Sequence, residues 1–222
     1  MYIGLNNSLL LNGRRRINID SSSRCNLSCP GCARTKSMKV GANGSISDMP
    51  MEYFKALVRP ENNIRRLTYN LTLSDPIYSG VFLEQLEYLN NLDFRPHINI
   101  STNGSGRNKK WWEHFAKLLK IDDRIEFAID GLEDTNHIYR VNSKWNSIIN
   151  GIKTLRENFE GKMMWRYVIF EHNYHQILQA QLLAKQLGFN DFRPVVGDSR
   201  TPSSMILRSK TWEEIQNDLS KV

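Results

Sequence analysis

Cys25, Cys29 and Cys32 are the only thiols in this chain, and all three fall inside the stretch SSSRCNLSCPGC. Thiols this close in sequence can do three kinds of chemistry. A structural zinc site takes four tetrahedral ligands, usually as paired Cys-x2-Cys or Cys/His knuckles. Here one Cys-x2-Cys carries a third thiol four residues ahead of it. A fourth ligand would have to come from His97, His114, His137, His172, His175 or a distant carboxylate. A redox Cys-x2-Cys pair opens a helix directly after a strand. CPGC instead follows a longer loop that holds the third thiol. An iron–sulfur cluster is held by thiolates on short loops. Three thiolates on a four-iron cube leave one iron open to a small molecule with nitrogen and oxygen donors. The Cys-x3-Cys-x2-Cys spacing suits that third use, and a disulfide scaffold would need more cysteines.

The elements around the thiols must position whatever they hold. Period-two apolar patterning predicts strands at 16–20 (RINID), 67–73, 97–102, 125–130, 163–170 and 191–196. Helical periodicity predicts helices at 51–58, 81–92, 109–120, 145–158 and 175–188, the last ending at Gly188. A final helix over 211–222 opens with Thr211 and Glu214 in capping-box spacing. Six strands alternating with six helices imply a parallel sheet with right-handed crossovers, either doubly wound or a whole or partial barrel. In both, chemistry sits at the carboxyl ends of the strands, and the cysteines follow the first strand. The stretch GANGSIS at 41–47 reads as a loop, and no linker divides the chain.

Composition bounds the rest. The 222 residues suffice for one sizeable domain, and 40% hydrophobic with 24% charged content is that of a globular protein. No apolar run approaches the ~20 residues that cross a bilayer. The basic triplet Arg14–Arg16 follows the short apolar N-terminal segment, the wrong order for a secretory signal, so a cytoplasmic location is expected. The net charge of +7 is scattered over sites such as Arg14–Arg16, Arg65–Arg66 and Lys109–Lys110. It serves either as solvated surface or to attract an anionic partner, nucleic acid or an acidic peptide.

Placed after the first strand of a six-unit βα array, Cys-x3-Cys-x2-Cys resembles the defining motif of the radical S-adenosylmethionine (SAM) superfamily. Further segments carry the resemblance. LTLSDPIYSG (71–80) is similar to the strand-two end written Gly-Gly-Glu-Pro in relatives, and ISTNGS (100–105) to their strand-three ending. FAIDGLEDTNHIYR (127–140) and the stretch from strand five into its helix resemble the peptide-maturing, SPASM/twitch branch. The resemblance covers 16–197 and implies an α/β fold, a partial (β/α)6 TIM-type barrel, as a single radical SAM core domain over 1–222. Relatives of that branch usually continue into a cysteine-rich extension with auxiliary clusters, and this chain has no further thiol.

The resemblance also implies roles. Cys25, Cys29 and Cys32 would ligate a [4Fe-4S] cluster whose open iron chelates SAM. Reductive cleavage would yield a 5′-deoxyadenosyl radical that takes hydrogen from substrate, with a flavodoxin- or ferredoxin-type protein as electron donor. Ser74, Asp75 and Pro76 would meet the ammonium of SAM, and Arg140 its carboxylate, since a guanidinium grips carboxylates bidentately. Ser101, Asn103 and Asp130 would serve the ribose, although Ala128 stands where relatives often carry serine. Gly31 stands where many carry an aromatic residue against adenine, which leaves backbone near Val196 for that contact. His137 is either an acid–base group or structural, and one of Trp111 and Trp112 belongs to the core. The expected substrate is a peptide or protein side chain. The alternatives are a nucleotide or RNA substrate, or a non-catalytic iron–sulfur or zinc protein that binds nucleic acid.

Overall fold

The computed structural model describes residues 15–39, 47–70, 72–197 and 201–220. Six strands form one all-parallel sheet in sequential order: β1 (Arg15–Ile19), β2 (Ile64–Tyr69), β3 (His97–Thr102), β4 (Arg124–Ala128), β5 (Lys162–Ile169) and β6 (Asp191–Val196). The helices are α1 (Ala33–Lys39), α2 (Met51–Leu57), α3 (Phe82–Asn90), α4 (Lys109–Leu118), α5 (Asn136–Tyr139), α6 (Trp145–Asn158), α7 (Ile177–Gln186) and α8 (Trp212–Leu219). This is the expected partial barrel, its first and last strands unpaired with each other.

Alternation along each strand sends one set of side chains to the helices. Ile19, Leu67, Tyr69, Ile98, Ile100, Ile125, Phe127, Met163, Trp165 and Tyr167 are buried there with Phe54, Leu86, Trp112, Phe115, Ile148 and Leu155. Each such side chain contributes about 1.5–3 kcal/mol by leaving water. Helix α6 reaches α4 because Gly151 faces Trp112: a Cβ there would lie 2.6 Å from the indole nitrogen. Trp112 is thus the core member of its pair, while Trp111 is part-buried and stacks on Phe115.

Strand β2 departs from the sequence expectation. It runs Ile64–Tyr69, not 67–73, because its inward positions carry Arg66 and Thr68 and mask its start. It ends where the Asn70 amide donates to the Ile19 carbonyl, and Leu71 lies outside the described residues. Most of the loop expected at 41–47 and the last two residues of the helix expected over 211–222 also lie outside them. Helix α8 has the expected capping box of Thr211 and Glu214.

Candidate functional site

The loop after β1 is held from three directions. The Met49 amide donates to the Ser21 carbonyl at 2.8 Å, and Ser22 bridges Asp48. The Asp75 amide donates to the Arg24 carbonyl at 2.8 Å, tying the loop to the end of β2. The Ser28 amide donates to the Val141 carbonyl at 3.1 Å, tying it to the segment after β4. Between these anchors, Arg34 of α1 reaches back to the Ser23 carbonyl at 2.9 Å. Helix α1 starts directly after Cys32, and sequence periodicity missed it because it has only seven residues and no acidic residue in its first turn.

All three cysteines line one cavity of ≈ 210 Å³ at the carboxyl ends of the strands. Ser74, Asn103, Arg140 and Val196 line it with them. So do Ala128, Tyr139, Arg166, Val168 and Phe170, of which the sequence singles out only Ala128. Tyr139 packs against Phe170 with ring centroids 4.3 Å apart, an aromatic pair on the cavity wall.

Four other expected contacts stand off the cavity wall. Asp75 is fully buried, and its carboxylate is occupied by protein donors: the Thr102 hydroxyl at 2.9 Å, the Asn103 amide at 2.8 Å and the Ile77 amide at 3.2 Å. It fastens the end of β2 to the end of β3, and burial pushes its pKa up to about 6. Pro76 is buried in the turn that Asp75 caps. Asp130 is fully buried and accepts from the Val168 amide at 2.7 Å and Arg140 Nε at 2.6 Å. Ser101 lies lower on the inward face of β3, 3.4 Å from Glu126. The sequence identified the turn-forming aspartates but could not show that protein donors already fill their oxygens. It also missed Asp20, which accepts from the Leu73 amide at 3.3 Å and the Ser74 hydroxyl at 3.1 Å, setting Ser74 on the wall. His137 is exposed on α5 and does not line the cavity.

Asn103 sits in a turn that Gly104 makes possible with φ +72°. Its side-chain Nδ2 donates to Asn26 Oδ1 at 3.0 Å and lies 3.8 Å from Cys25 Sγ. Burial would lower the pKa of Arg140, but Asp130 and Cys29 beside it hold it above the usual arginine value, so a fixed cation stands against the thiols. Burial, with the Asp75 charge adding to it, pushes Cys25 up to about 12. Burial also raises Cys29, against the pull of Arg140.

A raised Cys29 is the reverse of what a redox Cys-x2-Cys pair requires. Among the described residues, no three His, Cys, Asp or Glu side chains stand close enough together to hold one metal ion. Three thiols around one cavity fit a cluster that takes one thiolate per iron and deprotonates its ligands.

Residues 19–184 match the family model of the radical SAM superfamily. No curated protein matches the chain. Among solved structures, Streptococcus suis SuiB bound to S-adenosylmethionine superposes with a TM-score of 0.69 at 16% identity, covering 92% of this chain and 46% of that one. The enzyme anSMEcpe with bound AdoMet and Kp18Cys peptide gives 0.70 at 12% identity, covering 94% and 59%. TsrM of Kitasatospora setae, a radical SAM methyltransferase with cobalamin and a [4Fe-4S] cluster bound, gives 0.58 at 10% identity, covering 81% and 36%. The chain thus spans about half the length of SuiB and anSMEcpe. The family match runs from the end of β1 into α7 and encloses the loop that carries the three thiols, so this chain belongs to the radical SAM superfamily of enzymes.

Proposed function

We propose that Cys25, Cys29 and Cys32 hold a [4Fe-4S] cluster in the cavity and that SAM occupies the space beside it. When bound, the cluster supplies the electron that cleaves SAM to a 5′-deoxyadenosyl radical, which takes hydrogen from substrate. The observation that carries this reading is the convergence of three thiols and the Arg140 cation on one cavity at the carboxyl ends of the strands. The protein's own part is to bind, orient and exclude water. Arg140, held through Nε by Asp130, offers a cation to the SAM carboxylate. Ser74 and Asn103 offer polar groups at the methionine and ribose end, and Val168, Phe170 and Val196 an apolar wall for the adenine. Asp75, Pro76 and Asp130 act as positioning residues behind that wall, and Ser101 faces the substrate side below it.

For the substrate we propose a peptide or protein side chain. SuiB bound to its precursor peptide SuiA superposes with a TM-score of 0.70, and anSMEcpe was solved with peptides bound. A flavodoxin- or ferredoxin-type donor and a cytoplasmic location complete the reading; no helix among the described residues is long and apolar enough to cross a membrane. The domain assignment, one radical SAM core from β1 to α8, belongs to the same proposal.

Anaerobic reconstitution with iron and sulfide tests the reading. About four irons per chain are expected, with SAM binding seen as a change in the electron paramagnetic resonance of the reduced cluster. Arg140→Gln is expected to keep the iron and weaken SAM binding by about tenfold. One tightly bound zinc in place of iron would overturn the assignment.

A further inference from the structure

The inward face of the sheet carries a cluster of arginines with no acidic partner among the described residues. Arg16 and Arg66 are opposite each other in the β1–β2 register. Arg124 opens β4 on the same face, and the charges of both Arg16 and Arg124 bear on Arg66. The acids on this face are engaged elsewhere: Glu126 with Ser101 and Arg166, Asp191 with Arg193. His97, the neighbour of Arg66 on β3, turns to Asp122 at 2.7 Å. Arg66 Nε is buried with no hydrogen-bond partner among the described residues. Like charges at neighbouring positions and an unpaired buried donor both cost stability. A fold that keeps them has a use for them in a complex.

We propose that this face binds an acidic peptide segment, with Arg16, Arg66 and Arg124 holding a carboxylate of the substrate. The inference rests on the peptide reading above and supplies its chemical class. Strand geometry sets the span. Arg124 and Ala128 lie at opposite ends of β4, about 13 Å apart along the strand, and Ala128 lines the cysteine cavity. A carboxylate held at the arginines therefore places a residue about four positions away, in extended chain, at the cavity mouth. The surface between is polar: Asn18, Thr68, Asn99 and Ser101 are at least partly exposed and suit a peptide backbone. Single-stranded nucleic acid would call for aromatic stacking platforms, and the inward strand positions carry no Phe, Tyr or Trp.

The test uses the reconstituted full chain and a fluorescein-labelled hexaglutamate peptide, read by fluorescence anisotropy. Arg66→Gln and Arg124→Gln are each expected to weaken binding by about tenfold, with Lys110→Gln on the outer helix α4 leaving it within about twofold. Arg66→Gln is also expected to keep or raise the melting temperature, because it removes a cation from a like-charged cluster. Arg124 is exposed, so its variant keeps the fold and reports on binding alone. Binding unchanged in both variants overturns the proposal. So does labelled decauridine that binds more tightly than hexaglutamate and weakens in the same variants, which would assign the face to phosphate. Peptide-free 5′-deoxyadenosine formation is measured on the same samples. Its loss with anisotropy intact would sink the radical reading alone, and the converse would sink only this inference.

Discussion

The two faces of the sheet are built to opposite rules. Toward the helices, β5 places Met163, Trp165, Tyr167 and Ile169, all at or below 1% exposure. Toward the barrel interior the same strand places Met164, Arg166 and Val168, all partly exposed. The helix face is a packed core whose residues are fixed by volume. The inward face is kept polar and basic in a position that a stability-driven sequence would fill with branched apolar side chains, as complete barrels do. The difference teaches where selection for something other than folding acts. Core and site meet only at the carboxyl ends of the strands, where Asp20, Asp75 and Asp130 fasten neighbouring strands and set the cavity wall.

The contrast can be broken by paired substitutions. Trp165→Ala should cost about 3–5 kcal/mol, since it empties core volume and orphans the Ile129 carbonyl that accepts from its indole at 2.8 Å. Met164→Ala, one residue away on the other face, should cost under about 1.5 kcal/mol. Urea unfolding of both measures the gap, and equal losses would mean that the inward face is also core.

At the rim, Asp130→Ala should cost about 3 kcal/mol, because it strands Arg140 and the Val168 amide together. It should also weaken SAM binding, whereas a loss in stability with SAM affinity intact would separate Arg140 from the site.

The smallest effect concerns pH. The Asp75 pKa is raised from 3.8 to about 6 by burial, so the folded chain holds this proton more tightly than the unfolded one. The contribution is full below the unfolded value and is lost as pH rises through about 6. Between pH 7 and pH 5 the wild type should therefore gain about 1 kcal/mol relative to Asp75→Asn. Parallel stability profiles of the two proteins would show that the three donors outweigh burial.

Much of the fold is legible because the helix-facing positions are apolar and keep period two in strands such as HINIST and MMWRYVIF. The start of β2 is not, since Arg65 and Arg66 break that pattern, Arg66 by facing inward. Helices α1 and α5 are too short to show a period. The cysteine motif is local and was read directly. Arg16, Arg66 and Arg124 are far apart in sequence and look like scattered surface charge until strand register lines them up. Asp75 and Asp130 were found as residues, but which donors saturate a carboxylate is a tertiary fact that a linear pattern does not carry.

The central claim is that the three thiols build one cluster that cleaves SAM. Its most direct test is 5′-deoxyadenosine formed by the reconstituted, dithionite-reduced chain with SAM, beside Cys29→Ala. Product from the wild type and none from the variant is the predicted result. A wild type that holds iron, shows no spectral response to SAM and makes no product would contradict it.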